Sequence, residues 1–528
     1  VGREREVGMR GGRVVAVSAA SASVLGVLYV TLPPLGSDLS AQVARADFFA
    51  DHGPALVDLR WYGGVHPWGY SLISSPLMTL LGVRPTGALA LLASATAFAA
   101  LLVRARVARP LLGSLLGVLT IASNLVSGRV TYALGVAFGL AALLALTLPA
   151  ARRPGWPRGA LAGAAALLAS AASPVAGLFV GLAGAALLLT RRYADGLLLA
   201  VPAAVPLAVT GLLFGEGGWM NISRTDTVHA VLTSLLVAAL AAHRPVRVGA
   251  LLSAAGVLAA ALVHTPVGLN ATRLVVMFAL PVLAATARLP GWLPAPRPAA
   301  GAVGLAALLA AVCWWQPPVV TADLRADDPA ADPAYFAPLR AELARRGLAG
   351  RVEVPPTRNY WEAAHLGGEV PLARGWLRQA DIARNPLFFT TVPGAAGTGV
   401  PLTPASYRAW LADNAVQYVA VPDAELSWVG RAEAELVEAG LPYLTRVWSG
   451  AHWRLYAVAD PTPLVGSPGE LVRQDAASVT FRAPGPGRVP VRVRYDRWLS
   501  VSGGATLSAD GEWTAVTVPG AGTYALGG

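Results

Sequence analysis

Eleven apolar runs, most of them long enough to cross a bilayer, recur between residues 13 and 315. A hydrocarbon core about 30 Å thick takes a helix of roughly 17–25 residues. Only a helix satisfies its backbone groups within such a segment. Spans are expected over 13–33, 85–103, 110–126, 129–149, 157–172, 174–190, 194–214, 226–242, 246–264, 268–288 and 298–315. The runs 157–172 and 174–190 meet at Ser173-Pro174, which reads as a tight turn or kink. Residues 69–82 are apolar but too short to span, and read as a helix lying at the interface. Only 13% of residues are charged, against about 25% in soluble domains. A soluble enzyme and a disordered chain are both excluded.

The charge distribution sets an orientation. All 41 basic residues are arginine; with the heavy use of Ala and Gly this reads as a GC-rich bacterial genome. Residues 1–317 hold 22 Arg against nine acids; residues 318–528 hold 19 Arg against 21 acids. The excess sits in short clusters between apolar runs, a topology signal and not a nucleic-acid footprint. One set of connections carries sixteen Arg and the alternating set six. The richer set is expected inside, which puts the amino terminus in the cytoplasm and residues 318–528 outside the bacterial cytoplasmic membrane. The first run has no small-residue cleavage site and reads as an uncleaved helix. The lone Cys313 excludes a disulfide framework and a cysteine zinc site. No acid sits mid-span. A charge at the bilayer centre costs roughly 2.5–3.5 kcal/mol, which coupled pumps tolerate because they need it; its absence argues against a coupled transporter.

Six acids of this half fall on the outer side: Asp38, Asp47, Asp51, Asp58, Glu216 and Asp226. Four lie in the loop 36–69, long for a connection. A helix is expected from Asp38 to Asp51, ending at Gly53-Pro54. Asp38, Gln42 and Arg45 then share one face. Leu39, Val43 and Phe49 point it at the interface as an amphipathic helix. Asp58, Arg60, Trp61, Tyr62, His66 and Tyr70 follow. These residues suit an interfacial loop, where Trp and Tyr are enriched. They also suit a site: a carboxylate as general base, Arg as phosphate ligand, aromatic rings against a sugar.

The run Asp38-Leu-Ser-Ala-Gln, then Arg60-Trp-Tyr-Gly-Gly, then Gly69-Tyr-Ser-Leu-Ile-Ser-Ser-Pro-Leu77 resembles a bacterial multi-pass group within the GT-C superfamily. An amino terminus inside, an acid soon after the first helix, about eleven spans and a carboxy-terminal outer domain are similar to that superfamily too. Ser75 stands where the last motif often has proline, and Asp38 has no paired acid beside it. The resemblance implies an integral-membrane glycosyltransferase using a polyprenyl-phosphate-linked sugar, with an envelope glycan, lipid or protein as acceptor. The catalytic acid carries over to Asp38, with Asp47 and Asp58 as weaker candidates. In an inverting transfer Asp38 deprotonates the acceptor, while Arg60, Arg224 and Arg273 are candidates to hold the leaving phosphate. Glu216 and Trp219, in a second outer loop with Gly217-Gly218, are candidates to line the acceptor or lipid path. No cofactor is implied. A divalent metal finds no support, because His52, His66, His229 and His264 lack any helical ligand spacing.

The expected fold class is thus a multi-pass α-helical membrane domain, GT-C-like, over residues 1–317, followed by two outer modules. Residues 318–465 alternate helical patterns (335–346, 406–414, 428–439) with strands (352–354, 418–421, 453–458), an α/β domain opened by the acidic stretch 321–332. Residues 466–528 read as a small β-sandwich-like module, whose Tyr495, Trp498, Trp513 and Tyr524 stack on a glycan or fill its core. The stretch 358–385 is rich in polar and aromatic residues, and Tyr360, Trp361, Trp376, Arg378 and Gln379 are candidates for acceptor binding. A lipid-linked-sugar flippase or transporter is the alternative function; such a protein needs no base at Asp38, and a transporter should show repeated spans. A non-catalytic glycan-binding scaffold is the other.

Overall fold

A computed structural model describes residues 2–149, 156–215, 217–288, 298–395 and 400–528. The chain forms two compact units. The first comprises residues 1–36, 69–215 and 220–326, and the second residues 37–68, 216–219 and 327–528.

The first unit is helical. Each of the eleven apolar runs contains a helix, from Gly2–Thr31 to Pro298–Trp315. Five contain segments long and apolar enough to cross a membrane by themselves: Arg10–Thr31, Val83–Arg104, Tyr193–Leu213, Arg244–Leu262 and Gly268–Thr286. Pro110–Val126, Val130–Ala145 and Pro174–Leu189 are apolar but shorter. At 1.5 Å per residue, 16 residues reach only about 24 Å. The expected eleven spans are therefore eleven helices, of which five have full spanning length. Ser173 ends one helix and caps the next, its hydroxyl accepting from the Ala176 amide. The stretch 69–82 becomes the short helix Ser74–Leu81. Leucines and valines such as Leu212, Leu262 and Leu80 face outward. That composition, apolar outside and small or apolar inside, is that of a membrane protein.

The second unit carries the sheets. Strands β1 (Arg351–Glu353), β2 (Val416–Pro422), β3 (Leu444–Ser449) and β4 (Trp453–Val458) form one sheet in the order β1-β2-β4-β3. The β1–β2 pair is parallel and the others antiparallel. Helices Ala337–Arg346, Pro404–Asp413 and Arg431–Glu438 accompany it. Tyr407, Trp410, Val419, Val421 and Val437 are buried together in its core. Strands β5 (Glu470–Gln474), β6 (Ser478–Ala483), β7 (Gly487–Arg494), β8 (Ser500–Val501), β9 (Thr506–Asp510), β10 (Trp513–Val518) and β11 (Gly522–Gly527) form two further sheets, β7-β10-β9 and β5-β6-β11-β8. Trp513 and Tyr524 are buried, so they fill core; Tyr495 stays exposed.

The loop 37–68 departs most from expectation. It does form the helix Leu39–His52, but Leu39 is buried and the helix belongs to the sheet-rich unit. Val57 and Leu59 enter the hydrophobic core of the β5–β11 module. The Leu59 amide donates to the Ala476 carbonyl at 2.7 Å, the Leu372 amide to the Arg60 carbonyl at 2.8 Å, and Arg494 Nε to the Tyr62 carbonyl at 2.9 Å. The sheet-rich unit therefore begins at residue 327 in the main chain, not 318, and takes in two earlier segments. Asp323, from the acidic stretch, stays with the helical unit, where it accepts from the Ser127 hydroxyl at 2.6 Å.

A fragment of residues 327–528 lacks Val57, Leu59, Trp61 and Tyr62 and exposes the surfaces they cover. Expressed alone, it is expected to bind a hydrophobic dye and melt without a cooperative transition. Fusing residues 37–68 to it should restore sharp unfolding by circular dichroism. Cooperative melting of the bare fragment would show that the loop is not part of its core.

Candidate functional site

Asp38 immediately precedes the helix Leu39–His52, and its side chain does not cap that helix. The turn is held by the 357–379 stretch. Trp376 Nε1 donates to the Ser37 carbonyl at 2.6 Å, and the Ser40 hydroxyl donates to the Asn359 carbonyl at 2.7 Å. Gln42 is buried, its amide 3.5 Å from the Asp38 carbonyl. The Tyr360 and Trp376 rings stack at 4.6 Å and 13°. Arg378 Nη2 donates to the Tyr360 hydroxyl at 3.0 Å. Gly218 packs so closely on the Gln379 carbonyl, at φ +74°, that a Cβ there would lie 2.2 Å from the oxygen. Trp219 packs against the α/β core. Residues from three distant stretches, Asp38 with Gln42, Gly218 with Trp219, and Tyr360 with Trp376, Arg378 and Gln379, thus belong to one folded unit.

Other expected site residues have different roles. Arg60 is not a phosphate ligand. Its guanidinium makes two bonds to the Asp58 carboxylate, the shorter 2.7 Å, with both side chains sealed from water. It also lies over the Phe48 and Trp61 rings. Asp58 is spent on the same pair and cannot serve as a base. Trp61 and Tyr62 are buried, and the Tyr62 hydroxyl donates to the Gly375 carbonyl at 2.5 Å. They are packing residues, not sugar platforms. Arg45 is buried. His66 Nε2 lies 3.0 Å from the Asp496 carboxylate. Trp361 is buried and stacked on His365 at 5.1 Å. Glu216 lies outside the described residues. Tyr70, Arg224 and Arg273 belong to the helical unit. Among the described residues no group of three His, Cys, Asp or Glu could hold a metal.

The helical unit has a cavity of about 350 Å³, lined by apolar side chains such as Phe98, Val136, Phe179, Val275 and Phe278. That is within the range of small-molecule sites, about 300–1,000 Å³. Tyr132 is on its wall, with its hydroxyl buried and without a hydrogen-bond partner. The Arg273 guanidinium stands 5.3 Å from the centre of the Tyr132 ring. Arg224 is exposed at the start of the helix Arg224–Leu240 and does not line this cavity. Sequence reasoning missed Tyr132, because it sits inside an apolar run.

It also missed the anchor of the 374–381 stretch. Arg374 meets three buried carboxylates: Asp381 at 2.9 Å, Glu433 at 3.1 Å and Glu353 at 3.6 Å. The Tyr407 hydroxyl donates to Glu433 at 2.9 Å. One cation cannot balance three anions in a dry core. Burial, opposed by Arg374, pushes Glu433 up to about 7. Burial and then the neighbouring Glu433 push Glu353 well above the usual carboxylate range. Burial also raises Glu362, which accepts from the Thr357 hydroxyl, to about 7.

No protein-family model matches the chain, and no curated protein does. Among solved structures, the cryo-EM structure of arabinofuranosyltransferase AftD from Mycobacteria is similar over 89% of this chain and 40% of that one, at 18% identity and a TM-score of 0.45. The crystal structure of ArnT from Cupriavidus metallidurans bound to undecaprenyl phosphate is similar over 85% of this chain and 98% of that one, at 14% identity and a TM-score of 0.36. The chain spans about 40% of the length of the AftD structure. Each is a distant likeness of fold.

Two stability measurements check this geometry. Removing one partner of a sealed ion pair leaves an uncompensated charge, worth about 3–5 kcal/mol. Arg60→Ala should therefore destabilise strongly, while Asp58→Leu with Arg60→Met should recover most of the loss in thermal melts. Glu353 and Glu433 hold protons more tightly folded than unfolded, so their contribution is full below the unfolded carboxyl value near 4.3. It declines as pH rises through about 7, the folded value of Glu433. Glu353→Gln should flatten the fall in melting temperature between pH 5 and pH 8; an unchanged slope would show that the pair does not carry a proton.

Proposed function

We propose that this chain is a membrane glycosyltransferase that moves a sugar from a polyprenyl phosphate to a cell-envelope acceptor outside the bacterial cytoplasmic membrane. The observation that carries this reading is the apolar-walled cavity of the helical unit, with Tyr132 in its wall and the Arg273 guanidinium 5.3 Å from the centre of that ring. An apolar pocket that strands a phenol hydroxyl and keeps a guanidinium beside it fits an amphiphile with an anionic head. A polyprenyl phosphate is such a molecule. The arginine bias of alternate connections supports an inside amino terminus and an outside sheet-rich unit.

The motif Asp38-Leu-Ser-Ala-Gln, which resembles that of membrane glycosyltransferases with a catalytic acid soon after the first helix, supports Asp38 as the base. In the proposed reaction an acceptor hydroxyl attacks the anomeric carbon of the donor. Its proton passes to the Asp38 carboxylate as the new glycosidic C–O bond forms. The bond from the anomeric carbon to the phosphate oxygen breaks, the configuration inverts, and the polyprenyl phosphate leaves with the electron pair. Arg273 and the Tyr132 hydroxyl stabilise that charge, an interaction strongest where charge develops. Asp38 is the catalytic residue of this reading, and Arg273 and Tyr132 its phosphate ligands.

Asp38→Asn should abolish transfer of lipid-linked sugar in proteoliposomes, while decaprenyl phosphate still co-purifies by native mass spectrometry. Arg273→Gln and Tyr132→Phe should each weaken decaprenyl phosphate retention about tenfold, as the loss of a charged or buried hydrogen bond implies. Transfer that survives Asp38→Asn removes Asp38 from the mechanism, and lipid retention indifferent to both ligand variants removes the cavity.

A further inference from the structure

Arg378, half-buried, differs from the buried Arg60 and Arg374 of the same unit. Arg60 and Arg374 are each matched to carboxylates. Arg378 has no carboxylate partner among the described residues. Its Nη2 reaches the Tyr360 hydroxyl, and its Nη1 is shut off from solvent with no partner at all. Four aromatic rings surround the guanidinium instead, with centroids at 5.8 Å for Tyr360, 5.6 Å for Trp376, 5.6 Å for Phe389 and 5.5 Å for Trp428. Cation–π attraction offsets part of the missing hydration. It leaves Nη1 unused, and an unsatisfied buried donor in a native fold calls for an explanation.

We propose that Arg378 and its rings form a subsite for an anionic sugar, which within the transferase reading belongs to the acceptor. The fork of Arg378 is shaped to take a carboxylate or a phosphate. The buried Tyr360 ring backs the half-buried Trp376 ring in a stack at 4.6 Å, which leaves the outer Trp376 face for the C–H face of a pyranose or furanose. Trp428 forms the outer wall and is 47% exposed, whereas Phe389 is fully buried. It is the wall that turns aside without disturbing the core, on the fast timescale of exposed side chains, and its movement uncovers Nη1. Tyr360 sits at φ +58°, in the left-handed region that a non-glycine residue rarely adopts. Such strain is characteristic of ligand sites and is held there by surrounding structure; here the Tyr360 amide bonds the Thr357 carbonyl at 3.0 Å. The hydrogen bond from Trp376 to the Ser37 carbonyl ties the subsite to the turn that carries Asp38.

The subsite is tested by calorimetric titration of the full chain in lipid nanodiscs. The probes are a galacturonate tetrasaccharide, glucose 1-phosphate, inorganic phosphate and neutral maltotetraose. Saturable binding of at least one anionic sugar, with maltotetraose inert, is expected. Arg378→Ala should weaken it at least tenfold, Arg378→Lys less, and Trp428→Ala, which uncovers Nη1, should raise the response to inorganic phosphate relative to the sugar. Asp38→Asn should leave this binding intact, so failure of transfer and failure of the subsite are read separately. Absence of binding by both anionic sugars overturns the proposal, as does binding that is unchanged in Arg378→Ala. Inorganic phosphate binding as tightly as either anionic sugar overturns the sugar platform. If Arg378→Ala does not fold, Arg378→Lys and Trp428→Ala decide the matter by the same criteria.

Discussion

The sealed pair of Asp58 and Arg60 fixes the path of the loop 37–68. Neither charge tolerates a dry environment without the other, so the loop adopts the one course that keeps them in register. Trp61 and Tyr62 are then directed against Gly375, and Val57 and Leu59 into the β5–β11 core. Everything upstream inherits that placement. The helix Leu39–His52 is held in the sheet-rich unit, and Asp38 is presented beside Trp376 and not left on a mobile connection. A segment that would be an unstructured tether between two helices becomes part of a protein core.

The same unit uses charge in two opposite ways. Around Arg374 there is too much anion, and burial with the neighbouring Glu433 raises the Glu353 carboxyl well above its usual range. The network pins the 374–381 stretch by making any displacement expose mismatched charge. Around Arg378, four residues on, no carboxylate pairs with the guanidinium among the described residues. A rigid, over-compensated anchor next to an under-compensated guanidinium is the arrangement expected where a fold holds a binding group in place before its partner arrives.

Legibility in the sequence followed the range of the interactions. The helices from residues 83 to 315 could be read because apolar composition decides them locally, and 453–458 could be read from its own alternation. The strand Leu444–Ser449 was missed: its Thr445 and Arg446 are exposed at a sheet edge, and it is paired only to β4. Arg60 looked like a phosphate ligand because an arginine among aromatics two residues from an aspartate has the same composition whether it faces solvent or a buried carboxylate. Glu353 and Glu433 gave no signal, since each is an ordinary glutamate until folding brings both to Arg374. Tyr132 was hidden in an apolar run, and its unpartnered hydroxyl exists only because six helices enclose it.

From the chain alone came the membrane-embedded helices, the polar composition of residues 318–528 and the cluster of acids and aromatics after the first helix, because hydrophobicity and charge act on each segment independently of where the others go. Tertiary structure decided which of those acids and arginines neutralise one another and which stand apart. Whether Arg374 finds its carboxylates depends on residues as far along the chain as Glu433, and burial sets the strength of that choice, since charge interactions sharpen only once water has been excluded.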